Sequence, residues 1–209
     1  MKNITVIKKI ALFVLTVLVI ILATLLMNSQ QQNKKYKTYV SQEIVRTISD
    51  SITHLINAEK SVVKPFQNNQ ISIYEANLLS SSMYEFTRSI ERLNNIAETV
   101  EGKNPVSSPM SLKAVEYHRY INQQILRTEI YYNDLRPTNN KALSLDSKEM
   151  EQLSQMKLDI EAWAAIFKTY FPVDEQGLTQ EFMNNNEANF VKQETWKSFY
   201  RDIQTWNDI

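Results

Sequence analysis

The chain has 209 residues, with 23 basic and 23 acidic side chains, no cysteine and two glycines. Without cysteine there are no disulfides, no thiol catalysis and no cysteine-ligated zinc or iron–sulfur centre. With glycine only at Gly102 and Gly177 there is no Walker loop, no dinucleotide-binding fingerprint, no G-x-S-x-G elbow, and too little turn chemistry for a sheet protein full of hairpins.

Residues 1–9 are a short head carrying Lys2, Lys8 and Lys9. Ile10–Met27 follows, 18 residues without a charge whose only polar members are Thr16 and Thr24. At 1.5 Å per residue such a helix extends about 27 Å, close to the hydrocarbon thickness of a bilayer. A threonine there returns its hydroxyl to a carbonyl one turn earlier, so neither interrupts the span. A secretory signal has a shorter apolar core, about 7–15 residues, ending in a small-x-small site. The exit here reads Leu25-Leu26-Met27-Asn28-Ser29-Gln30, without that site, and no cysteine offers lipid attachment. An uncleaved transmembrane anchor over 10–27 is the expectation. A short basic head ordinarily stays in the cytoplasm, which places the rest of the chain outside it. Lys34, Lys35, Lys37 and Arg46 beyond the run leave only a slight charge bias for that orientation.

Residues 28–39 contain no proline or glycine and read as a helical juxtamembrane segment, and 40–209 as one helical domain. Residues 1–30 hold three basic and no acidic residues, so the remainder carries 20 basic against 23 acidic. That balance argues against a nucleic-acid partner, which calls for a basic face.

The five prolines, at 65, 105, 109, 137 and 172, divide the domain into helices. The first continues from the anchor to about Lys64, with Val40, Ile44, Ile48, Ile52, Leu55, Ile56 and Val62 on one face. The second starts at the capping box Ser72-Ile73-Tyr74-Glu75. Its stripe Ala76, Leu79, Met83, Phe86, Ile90, Leu93, Ala97 and Val100 has coiled-coil-like spacing, and Gly102 closes it. The third opens at Ser108-Pro109, turns Ala114, Tyr117, Ile121, Ile125, Thr128, Tyr132 and Leu135 inward, and stops before Pro137. The fourth opens at Asp146-Ser147-Lys148-Glu149 and carries Met150, Leu153, Met156, Ile160, Trp163, Phe167 and Tyr170. A short turn is expected at 178–183, and a last helix carries Trp196, Phe199, Ile203 and Trp206. The Asn- and Gln-rich stretches 28–33 and 184–189 show no apolar periodicity and read as linkers. The fold class is therefore all-α: a single N-terminal transmembrane helix followed by an up-and-down bundle of four to five helices.

Chemistry is sparse. His118 lies on the inner face of the third helix and reads as a hydrogen-bonded histidine at the core edge. His54, one turn after Asp50, reads as local charge pairing, since no metal-ligand spacing accompanies it. The pairs Glu149/Glu151, Asp159/Glu161 and Asp174/Glu175 read as solvated faces rather than a converging acid and base. No catalytic residue, metal or cofactor is expected. Trp196, Phe199, Ile203 and Trp206 read as core, with Trp206 the residue best placed for a partner. Tyr120 and Tyr131, with Tyr117 and Tyr132, offer a ligand-lining group together with His118.

In architecture alone, an anchor followed by a helical bundle is similar to the extracytoplasmic sensing part of bacterial chemoreceptors. No second apolar span follows, so this chain by itself is expected to pass no signal to a cytoplasmic output domain. The functional expectation is a non-enzymatic, single-pass cell-membrane protein acting by contact with other membrane or envelope proteins, as assembly factor, adaptor or accessory subunit. A ligand-sensing bundle is the alternative, and a homo-oligomer is compatible with either.

Overall fold

The computed structural model of the chain describes residues 2–102, 107–126, 142–186, 188 and 190–206. It is mostly helical, as expected. Helix α1, Lys2–Val63, is continuous over 62 residues, about 93 Å of helix. It runs through 28–33 without a break, so that stretch is not a linker; an Asn/Gln run lacks an apolar face but has nothing to stop a helix already nucleated on either side. In its apolar part the Thr16 hydroxyl donates to the Leu12 carbonyl at 2.9 Å and the Thr24 hydroxyl to the Ile20 carbonyl at 2.8 Å. The most apolar 18-residue window of this helix is 0% buried. From Val40 onward the helix turns a face inward, and Ile44, Ile48, Ile52, Leu55 and Val62 are buried.

Pro65 ends α1 and opens the short helix α2, Pro65–Asn68, which closes on Asn69 in the left-handed region. Strand β1, Gln70–Ser72, then leads into α3, Ile73–Glu101. The capping box is present as read: the Glu75 amide donates to the Ser72 hydroxyl at 3.1 Å, and the Ser72 amide to the Glu75 carboxylate at 3.2 Å. Gly102, at φ +67°, supplies the left-handed cap, its amide donating to the Glu98 carbonyl. The α3 stripe is buried from Ala76 to Ala97, whereas Val100 is 37% exposed.

Helix α4, Pro109–Tyr120, begins on a Ser108 cap and passes into a π-helical turn, Ile121–Ile125, closed by the Leu126 amide on the Ile121 carbonyl at 2.8 Å. The extension of this helix toward Pro137, with Thr128, Tyr132 and Leu135, lies outside the described residues. Strand β2, Ala142–Ser144, pairs antiparallel with β1, Ile71 opposite Leu143. This two-stranded ribbon was not expected, because three residues are too few to show a period of two. Helix α5, Ser147–Tyr170, has the Asp146–Glu149 capping box. Helix α6 spans Gln180–Asn186, starting two and ending three residues later than the expected turn, so 184–186 are helix rather than linker, and α7 spans Glu194–Thr205.

The packed half of α1 lies against α3 and α5, and α3 also packs on α4. Between them sits an aromatic centre. Trp163 stacks on Phe86 at 5.3 Å, and Phe167 and Phe171 each meet the Phe199 edge at 4.8 Å. The start of α4 and the end of α7 are joined by the Ser108 hydroxyl, which donates to the Ile203 carbonyl at 2.6 Å.

Candidate functional site

Two surface grooves flank the packed half of α1. The first lies between α1 and α3 and encloses about 450 Å³ among Asp50, His54, Glu85, Arg88, Glu91 and Arg92. Spacing explains its composition. Residues 50 and 54 are one turn apart on α1, and 85, 88 and 92 follow one face of α3, so both helices present charge at the rim of their apolar stripes. Arg92 pairs with Glu43 of α1, and the Arg88 guanidinium lies 5.8 Å from the Tyr84 ring centre. His54 is partly buried. Desolvation holds its pKa below the usual histidine value, and it outweighs the opposing pull of Glu85 and Asp50.

A histidine whose folded pKa lies below its unfolded value binds its proton first in the unfolded chain. Its contribution is therefore intact at neutral pH and is lost as pH falls below about 6.5. We expect acidification from about pH 7.5 to 5.5 to destabilise the protein more than it destabilises a His54→Gln variant, read as paired urea-unfolding curves. A difference between the two proteins that grows in favour of the native chain on acidification contradicts this assignment.

The second groove lies where the end of α1 meets the Pro172–Leu178 turn, with a volume of about 840 Å³. Ile56, Val63 and Val173 form its apolar wall, and Glu59, Lys60, Lys168 and Glu175 stand on its rim. Lys60 donates to the Glu175 carbonyl at 3.4 Å, and Lys64 pairs with Glu75 at 2.7 Å, which raises the lysine pKa. The turn itself is built by Asp174, whose carboxylate accepts the Gln176 and Gly177 amides at 2.8 and 3.0 Å.

The residues singled out from the sequence are dispersed. His118 is partly buried and hydrogen-bonded: its Nδ1 lies 3.0 Å from both the hydroxyl and the carbonyl oxygen of Ser80, and Asn122 donates to that same hydroxyl at 2.8 Å. The Tyr84 ring is 5.3 Å away. Ser80 was missed, because a serine on α3 beside Leu79 looks like any other helix-surface serine. The Ser80–His118 contact has the reach of a nucleophile and base, yet among the described residues the polar partners of the ring are a serine and an asparagine, not an orienting carboxylate. Tyr120 is partly buried, and burial followed by Glu149 and Asp146 raises its pKa. Tyr131 lies outside the described residues.

Trp206 lies in the core with Trp196, Phe199 and Ile203, as its place on their stripe suggests. It is 7% exposed and meets the edge of Trp163 at 5.5 Å. One correction concerns the acidic pairs. Glu149 and Asp159 are buried, at 6% and 1% exposure. Glu149 is drawn in as the second half of a capping box, and Asp159 accepts the Tyr117 hydroxyl and the Gln155 amide. A signal for Asp159 was present: it lies three residues after Met156 and four before Trp163, on the apolar stripe itself. Among the described residues, no three His, Asp or Glu side chains converge in a metal-binding group. No protein-family model, no curated protein and no solved structure matches the chain.

Proposed function

We propose that the chain is a single-pass membrane protein whose helical bundle works by contact with other membrane or envelope proteins, as assembly factor, adaptor or accessory subunit. One observation carries this reading. The same unbroken helix is wholly exposed over its most apolar window and packs one face into the core from Val40 onward. An apolar surface that long needs a cover, and a bilayer supplies one of matching thickness. The domain is then held rigidly to the membrane, with no flexible linker between span and core. Its surface offers grooves rimmed by mixed charge rather than a convergent acid–base pair, which suits partner recognition better than catalysis. The N-terminus is cytoplasmic and the bundle extracytoplasmic. Ligand sensing is the second reading, favoured by the size of the groove at Ile56, Val63 and Val173.

A cysteine at exposed Asn68, the last residue of α2, tests the placement in a chain with no other thiol. Labelling of intact cells by a membrane-impermeant maleimide is the expected result; labelling only after lysis reverses the orientation. A photoreactive side chain at Lys168, on the groove rim, then separates the two readings. One discrete protein adduct in native membranes agrees with an adaptor. No adduct, together with a small molecule that raises the thermal midpoint of the full chain, agrees with sensing.

A further inference from the structure

We propose that the foot of the domain, at Lys34, Lys37 and Lys192, is a binding surface for anionic phospholipid headgroups, which seats the domain on the membrane holding its own anchor. The proposal rests on residues 10–27 being that anchor.

Charge is divided along this chain. The first acidic residue is Glu43; before it stand six lysines, and after the first 42 residues come 17 basic against 23 acidic side chains. The body of the domain therefore carries a net negative charge, and its foot a positive one. The foot is also shaped. Gln30, Asn33, Lys34 and Lys37 recur at helical spacing on one face of α1 and, with Thr38 and Lys192, line a recess of about 260 Å³. Lys192 is not there by chance of a loose loop. Phe190–Lys192 forms a 3-10 turn whose Phe190 is buried, and the Val191 amide donates to the buried Ser41 hydroxyl of α1 at 3.1 Å. That bond ties Val191 to Ser41, one turn after Lys37 on α1, and Lys192 is the next residue. The lining residues are three lysines, two side-chain amides, a threonine hydroxyl and Ala188, with no carboxylate among them; Glu187 lies outside the described residues.

The height matches a headgroup layer. Lys34 follows Met27 by seven residues and Lys37 by ten, about 10 and 15 Å along the helix. Polar headgroups reach roughly 5–8 Å beyond the hydrocarbon edge. Helical side chains lean toward the helix N-terminus, here toward the bilayer, and a lysine stem adds several ångström of reach in that direction. The Lys34 ammonium thereby meets phosphodiester oxygens, Lys37 and Lys192 add positive potential above it within about a Debye length, and the negative body is kept off the surface.

The test uses the full chain with Ala188→Cys, labelled with a small fluorophore, in nanodiscs of phosphatidylcholine alone or with one third phosphatidylglycerol. The readout is quenching by neutral acrylamide. Expected is a quenching constant about threefold lower in the anionic discs, restored by about 0.5 M salt, and no difference between discs in the K34Q/K37Q/K192Q variant. The single variant K192Q, whose side chain is exposed, guards against loss of fold and is expected to lose part of the protection. Equal quenching in both discs, or unchanged protection in the triple variant, overturns the proposal. Protection by inorganic phosphate in phosphatidylcholine discs assigns the recess to free phosphate and overturns the lipid. A label at Leu18→Cys in the same discs reports the anchor separately: if acrylamide reaches it, the span itself is wrong and the proposal falls with it.

Discussion

Replacing Trp163 by alanine lowers the unfolding free energy by about 4 kcal/mol, among the largest losses a single substitution in a core of this kind gives. Trp163 is 0% exposed, stacks on Phe86 with 13° between the rings, and meets Trp206 edge-on and Tyr117 at 6.2 Å. Truncation removes the side chain that joins α3, α4, α5 and the end of α7, and leaves a space that rigid aromatic neighbours cannot collapse into. Trp163→Phe is expected to cost much less. Phenylalanine keeps the stacking, and it also removes a buried indole N–H that has no hydrogen-bond partner among the described residues. Urea unfolding of the full chain in detergent, followed by far-ultraviolet dichroism, measures both. A loss below about 1.5 kcal/mol for the alanine variant means that this aromatic centre does not hold the domain together.

What could be read from the sequence was what is local. The caps at Ser72, Ser108 and Asp146 and the stop at Gly102 lie where their residue types place them, because each satisfies backbone groups within three or four positions. The stripes of α1, α3 and α5 were equally legible, since burial follows the 3.6-residue period. What depends on distant packing was not. The π turn at Ile121–Ile125 and the β1–β2 ribbon are each decided by a neighbour that a local pattern does not name. Asp159 sits between these cases. Its place on the stripe was visible, but its partner Tyr117 stands on another helix, 42 residues away. The surface grooves were the least legible, because they arise only when the rims of α1, α3 and the Pro172–Leu178 turn are brought side by side.

Leu18→Asp together with Leu22→Asp moves the chain from the membrane to the soluble or aggregated fraction. The two positions lie one turn apart near the middle of Ile10–Met27, where 13 of 18 residues are Leu, Ile, Val or Phe. Each such residue contributes about 0.3–0.6 kcal/mol to insertion at the centre of a span, and each aspartate costs about 2.5–3.5 kcal/mol there. The exchange of two leucines for two aspartates thus shifts the balance by about 7 kcal/mol, similar to what the whole run supplies. The folded domain has no stake in these side chains: Leu18 and Leu22 are 50% and 61% exposed, and the core begins at Val40. The variant is therefore expected to keep native tryptophan fluorescence and a native unfolding midpoint while losing resistance to carbonate extraction. Leu18→Ala with Leu22→Ala, which leaves the run apolar, stays in the membrane. If the aspartate pair remains resistant to extraction, the apolar half of α1 is covered by protein rather than lipid. The helix would then be the docking element of an assembly, with its unbroken passage into the core transmitting that contact directly to α3 and α5.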